Sequence, residues 1–242
     1  MLLRIEGLHV RYGGIQALAG TTRGWVRLAR LLMHQPQLEE VLDRTARSRP
    51  GVEVYMGWEA TDVESLHPGV SVTVRAREGG EVRKVRAKYV IGSDGARSFV
   101  RERLGIARDD LGFEPYEFLV LDFEHHNPDR ALPFMGEVRQ VLDPARPTTA
   151  GRWNGNRWSR WEFMRLPGET REQMEDEANC WKLLAPWGIG RDDGRIIRRS
   201  VYRFESRIAE RWRHGDIFLA GDAAHTMPPF MAQGLCSGLR DV

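Results

Sequence analysis

Apolar and polar residues alternate over 70–77, where Val70, Val72 and Val74 are separated by Ser71, Thr73 and Arg75. That period of two is the pattern of a half-buried strand. A second strand-like run at 81–90 follows Gly79-Gly80, and a glycine pair between two such runs predicts a hairpin. Residues 52–56 read as a further short strand. Ahead of them, 37–46 place Leu38, Val41, Leu42 and Thr45 at helical spacing behind Pro36, so a packing helix is expected with proline in its first turn. Past residue 110 the pattern changes. Strand-like runs at 118–123, 161–166 and 195–204 are interspersed with tryptophans and with Pro133, Pro144 and Pro147, while 169–184 predicts a helix over that sheet, stopped by Pro186. Residues 217–220 are an unbroken apolar run, as expected for a buried parallel strand, and Gly221 then lets the backbone turn sharply so that Asp222 stands at the strand's carboxyl end. Ligands of open α/β sheets collect there. The fold class expected is α/β (α+β mixed).

Composition sets ordinary bounds. At 242 residues, 41% hydrophobic and 29% charged, the chain can bury a core in one or two domains. A net charge of +2, with arginines dispersed among acids and only Lys84, Lys88 and Lys182 as lysines, argues against a nucleic-acid surface. Cys180 and Cys236 lack CxxC spacing, so neither a disulfide framework nor a metal site is expected. No apolar run is long enough to span a bilayer and no signal-type core follows Met1. The expected compartment is the cytoplasm, without membrane association.

The candidate chemistry sits near the end of the chain. An ionised Asp222 accepts hydrogen bonds from sugar-alcohol hydroxyls, and a helix opening near Gly234 offers free N–H groups and a positive dipole end to an electron-rich carbonyl. Asp222 can equally be a turn residue after glycine, and Asp94-Gly95 an ordinary Asp-Gly turn. Arg97 and Arg101 can be solvated helix charges and Ser98 an N-cap. His225, among Ala223, Ala224 and Met227, reads as packed rather than as an acid–base group. Trp153, Trp158 and Trp161 fit an aromatic pocket or sheet packing equally well. No catalytic residue is assigned.

Gly221-Asp222-Ala223-Ala224-His225, with Pro228-Pro229 and Gln233-Gly234-Leu235, resembles the GD motif of the FAD-dependent aromatic hydroxylases, the single-component flavin monooxygenases. The block 89–101, with Asp94-Gly95, Ser98 and Arg101, resembles the DG motif of the same family. Residues 143–149 and 160–168 are similar to the branch that hydroxylates 3-(3-hydroxyphenyl)propionate and related phenols. The resemblance covers 21–242. It implies an incomplete FAD-binding Rossmann-like domain with an inserted β-sheet substrate domain: 1–20 an atypical segment, 21–110 a partial FAD-binding domain with meander and DG motif, 111–204 the substrate-binding sheet, and 205–242 a return to the FAD-binding domain with a short final helix.

It further implies FAD and NAD(P)H as cofactors, a small phenolic substrate and O2 as partners, possible homo-oligomers, and hydroxylation through a flavin C4a-hydroperoxide. The implied cofactor-binding residues are Gly221, Asp222, Ala223, Pro229, Gly234, Leu235, Asp94, Gly95 and Arg101, with no metal. The Pro228 to Met231 loop is implied to wall off the flavin ring. The chain departs from the family at its start. No GxGxxG turn is present; Gly13, Gly14 and Gly20 lack that spacing. Residues 1–20 instead look like the opening strands of a branched-chain amino acid ABC-transporter ATPase subunit, without a GxxxxGK[ST] loop. Residues 234–242 leave room for about two helical turns. A remnant of the fold that holds no FAD tightly, and a flavin reductase or halogenase, remain alternatives.

Overall fold

The computed structural model describes residues 2–4, 35–112, 116–129, 138–153, 157–229 and 233–242. The chain forms two units, 1–56 and 57–242. In the first, β1 (Leu2–Arg4) pairs antiparallel with β2 (Glu53–Tyr55), Leu3 opposite Val54. Apart from β1, the expectations for residues 1–20, including Gly13, Gly14 and Gly20, lie outside the described residues. The expected helix is α1 (Gln35–Ser48). It does not bury the predicted face: Val41 is 46% exposed and Leu42 37%. A stripe of Leu38, Val41 and Leu42 is too narrow to drive docking, and α1 is supported locally, with Thr45 Oγ1 donating to the Val41 carbonyl at 2.7 Å and Arg47 to Asp43 at 2.8 Å.

In the second unit the predicted hairpin is β4 (Val70–Ala76) and β5 (Val82–Ala87), and Gly79 and Gly80 both take the left-handed backbone that its turn requires. Val70, Val72 and Val74 are buried. A third strand, β3 (Trp58–Ser65), pairs with β4 and was not expected. A register shift between Ala60 and Asp62 breaks its period, so no alternation is visible in the sequence. Among the described residues β5 is one of the two edges of this sheet, exposed, with Arg83, Lys84 and Arg86 along it.

The run expected at 81–90 divides. After β5 the chain enters β6 (Val90–Gly92), which lies parallel to β15 (Ile217–Leu219); β14 (Arg213–His214) borders β15 on the other side. A small antiparallel sheet in the order β16-β13-β7 is made by β7 (Arg108–Asp110) and β13 (Arg207–Ala209), which lie between β6 and β15 in sequence, and by β16 (His225–Thr226), which follows β15.

The largest sheet is antiparallel, in the order β12 (Gly194–Arg203), β8 (Glu117–His125), β11 (Trp158–Met164), β10 (Thr148–Trp153) and β9 (Arg139–Val141). One face presents Leu119, Leu121, Phe123, Trp161 and Phe163, all buried, to Met174, Cys180 and Leu184. Burying a large apolar side chain contributes about 1.5–3 kcal/mol, so this layer is the chief hydrophobic store of the described residues. The covering helix expected at 169–184 is two helices, α3 (Arg171–Glu175) and α4 (Glu177–Leu184). Asp176 breaks them: its backbone is extended and its carboxylate caps α4 by accepting from Asn179 N–H at 3.0 Å. Thr170 and Gln173 form a capping box on α3. The Cys180 thiol, buried in this core, is pushed up to about 11 by desolvation, so it is an inert apolar group.

Candidate functional site

The parallel pairing of β6 with β15 brings the two sequence motifs to one sheet edge. Gly92 lies opposite Leu219, and Ala220 N–H extends the ladder to the Gly92 carbonyl at 3.0 Å. Each strand then releases its motif at its carboxyl end. Glycine is required at 92 by packing. A Cβ there would stand 2.9 Å from Val100 Cβ and 3.2 Å from Leu219 Cδ2, because α2 (Phe99–Arg103) lies directly on β6.

Asp94 folds back on α2, accepting from Val100 N–H at 2.9 Å, and Ser98 caps the same helix by accepting from Arg101 N–H at 3.0 Å. Gly95 has φ +83° and open space at its Cβ position. Arg101 is not a solvated helix charge. It is 3% exposed, donates through Nη1 to the Ala223 carbonyl at 3.0 Å and through Nη2 to the Ala96 carbonyl at 3.0 Å. Burial lowers its pKa, as does the nearby Arg108 charge, yet a guanidinium keeps its proton under any ordinary condition. One buried cation therefore joins the two motifs.

The second motif opens with Gly221 at φ +62° and makes one turn of 3-10 helix, Gly221–Ala223. Ala223 and Ala224 are fully buried beneath it, and the Ala224 carbonyl accepts from Ala209 N–H at 2.7 Å. Asp222 projects outward. Its carboxylate is exposed and takes no partner among the described residues.

After Pro228, half-buried, and Pro229, exposed, Phe230 to Ala232 lie outside the described residues, so the expected loop wall is described only in part. The chain then forms α5 (Gly234–Gly238). Gly234 faces open space, Leu235 is 58% exposed, and Gln233 makes no side-chain capping bond to the first turn. The far end of α5 packs on the Gly221 turn, where a Cβ at Gly238 would lie 3.1 Å from Gly221 Cα. Sequence reasoning missed Asp241. Its Oδ2 accepts from Gly221 N–H at 2.7 Å and meets His225 Nε2 at 2.9 Å. His225 itself is packed, its ring 5.1 Å from that of Trp212.

The middle tryptophans divide. Trp161 belongs to the core, edge-on to Phe123 and Trp187; Trp158 is half-buried beneath the Arg157 guanidinium at 5.0 Å; the Trp153 side chain lies outside the described residues. Arginines of this sheet are largely engaged with acids: Arg160 forks onto Asp122 at 2.6 and 3.0 Å, and Arg165 and Arg171 share Glu117. Beside the Arg160 pair, Glu162 has its pKa raised by burial, against the opposing pull of Arg160.

The FAD binding domain family matches residues 27–242. The chain belongs to this family. Among its relatives, a probable NADH-specific resorcinol 4-hydroxylase of Rhodococcus jostii (strain RHA1) is 40% identical over 219 residues, covering 90% of this chain and 40% of that protein. A 3-(3-hydroxy-phenyl)propionate/3-hydroxycinnamic acid hydroxylase of Comamonas testosteroni is 36% identical over 219 residues, 90% of this chain and 35% of that one. Among solved structures, aklavinone-11 hydroxylase in a ternary complex with FAD and aklavinone superposes with TM-score 0.68 at 27% identity, covering 86% of this chain and 39% of that one. The flavin-dependent monooxygenase PieE, in complex with FAD and substrate, gives 0.70 at 27% identity over 84% and 36%. The chain thus spans about two-fifths of the length of the relatives it matches.

The residues present fit the polyol and ring-carbonyl portions of FAD. The Asp222 carboxylate is an open acceptor, the Cβ positions of Gly95, Gly221 and Gly234 are clear of other atoms, and the first turn of α5 has no side-chain cap.

Proposed function

We propose that the protein is an FAD-dependent aromatic hydroxylase that takes reducing equivalents from NAD(P)H and places one oxygen atom of O2 on a phenolic ring, in the cytoplasm. The observation that carries the reading is the junction of the two motifs: parallel β6 and β15 end side by side, with Arg101 bonded to both segments. Bound flavin, once reduced, supplies oxygen activation and transfer to the ring. In this reading Asp222 would hold the ribityl hydroxyls, and the N–H groups at Gly234 and Leu235 would stabilise negative charge on the electron-rich carbonyl part of the flavin. Gly221 and Ala223 shape the turn that presents Asp222, while Pro229 stiffens the wall that keeps water away. Asp94, Gly95 and Arg101 support the cofactor site from the neighbouring strand.

The relatives named as acting on resorcinol and 3-(3-hydroxyphenyl)propionate favour a small phenol as substrate. Titration of the purified protein with FAD, read by the visible flavin band, tests the first half of the proposal. Saturable, stoichiometric binding that Asp222→Ala weakens is the expected result; a protein that stays colourless at saturating FAD overturns it. NAD(P)H-dependent O2 uptake stimulated by resorcinol or 3-(3-hydroxyphenyl)propionate tests the second half. Uptake with stoichiometric peroxide and no hydroxylated product argues for an oxidase or reductase instead.

A further inference from the structure

Asp241 lies 20 residues beyond Gly221 on the short segment that closes α5, and nothing in its sequence neighbourhood marks it. Its side chain is 7% exposed and that of His225 is 10% exposed, so the pair is nearly dry. One oxygen, Oδ2, takes both the Gly221 N–H at 2.7 Å and His225 Nε2 at 2.9 Å. Since a carboxylate oxygen accepts, His225 Nε2 is the donor of this pair. Gly221 and His225 bracket Asp222: the first begins its turn and the second begins β16, held in the sheet opposite Ile208. Asp222 itself makes no bond to any described residue. The direction in which it leaves the sheet is therefore set by the residues on either side. Backbone contact adds to this, since Gly238 sits against Gly221, where a Cβ at 238 would make a tight 3.1 Å contact with Gly221 Cα.

We infer that Asp241 is a positioning residue for the cofactor site, acting through the Gly221 peptide and His225 to aim the Asp222 carboxylate. The inference rests on the reading of Asp222 as a cofactor-binding group. A charge-assisted bond to a half-buried amide is among the stronger polar contacts, and removing its acceptor leaves that amide without this partner, which loosens the turn rather than the fold. Asparagine at 241 keeps one carbonyl oxygen for Gly221 N–H and the same length; alanine keeps nothing.

The test compares wild type, Asp241→Ala, Asp241→Asn and Asp222→Ala by FAD titration and by visible circular dichroism of the bound flavin, with amide hydrogen exchange at Gly221 on the FAD-free proteins. Loss of affinity by about tenfold or more in Asp241→Ala, the size set by one charge-assisted bond, is expected together with an altered flavin dichroism. Gly221 should exchange faster in that variant, and Asp241→Asn should restore most of each signal. If Asp241→Ala binds FAD as wild type does while Asp222→Ala is weakened, the positioning role is overturned and the cofactor reading stands. If wild type binds no FAD, both fall. Should Asp241→Ala fail to fold, Asp241→Glu decides, since it keeps the charge but displaces the oxygens from Gly221 and His225: weakened FAD binding alongside faster Gly221 exchange upholds the inference, and undiminished affinity overturns it.

Discussion

The five-stranded sheet and the β6–β15 edge are built on different principles. The sheet is held by bulk: Leu119, Leu121, Phe123, Trp161 and Phe163 meet Met174, Cys180 and Leu184 in one buried layer. Its stability is spread over many contacts that have no single preferred direction. The strand edge is held by aim. Asp94, Ser98 and Arg101 each bind particular backbone groups, above a smaller apolar layer in which Val90, Val100, Ile217 and Leu219 are joined by Ala220, Ala223 and Ala224. A region held by bulk loses stability when cut and keeps its geometry until it melts. One held by aim loses geometry first. Catalytic scaffolds need both, and here they occupy separate stretches of chain.

Substitutions at four positions probe this contrast, beginning with the largest effect. Trp161→Ala removes the largest fully buried side chain of the sheet and should cost about 3–5 kcal/mol by denaturant unfolding, with FAD affinity unchanged in the protein that remains folded. Equal losses of stability and affinity would merge the two regions into one. Arg101→Met deletes bonds to two carbonyls and should cost about 1.5–3 kcal/mol; unlike the tryptophan change, it should weaken FAD binding at temperatures well below the transition. Lysine at 101 should rescue poorly, since a single ammonium lacks the fork that reaches Ala96 and Ala223 together. Asp176→Ala removes the α4 cap and should lower stability by about 1 kcal/mol, visible as a shifted midpoint with no change in flavin spectra.

The smallest effect concerns charge on the sheet face bearing Arg160. Burial raises the Glu162 pKa in the folded protein, so ionisation at neutral pH opposes folding and that penalty vanishes once pH falls below the ordinary glutamate value. Glu162→Gln should therefore raise Tm at neutral pH and leave it unchanged in acid. Glu117, bonded by Arg171 and Arg165, and Glu124, bonded by Arg157 and Arg195, are shifted the other way. Their contribution is present above the ordinary glutamate pKa and lost as pH drops through the lowered folded values, so thermal scans of wild type should show an acid limb. A Glu162→Gln protein less stable than wild type at neutral pH would contradict this assignment.

What the sequence made legible follows the same division. Strands with unbroken periods were readable: Val70, Val72 and Val74 alternate in β4, and the apolar run before Gly221 is β15. β3 was hidden by its register shift at Ala60, and the α3–α4 break by Asp176, which reads as one more polar residue on a helix until its extended backbone is seen. Leu38, Val41 and Leu42 had helical spacing without a burying partner among the described residues. The turn at Gly221 and the exposed position of Asp222 after it were legible, because there backbone chemistry dictates the residue. The candidate site was not legible where the partner comes from far along the chain. Arg101 meets Ala223 across 122 positions, and Asp241 resembles any polar residue near a chain end. Local patterns carry periods and turns; they carry no record of which distant carbonyl a side chain will reach.

The cationic border of β5 has a consequence for how this molecule meets its own copies. An exposed strand with open N–H and C=O groups is a template onto which another chain can add. Arg83, Lys84 and Arg86 stud that rim, so a second molecule offering the same strand would bring like charges into register. Repulsion of this kind favours a dispersed protein over sheet-wise polymerisation, and it weakens as salt shortens the reach of the charges.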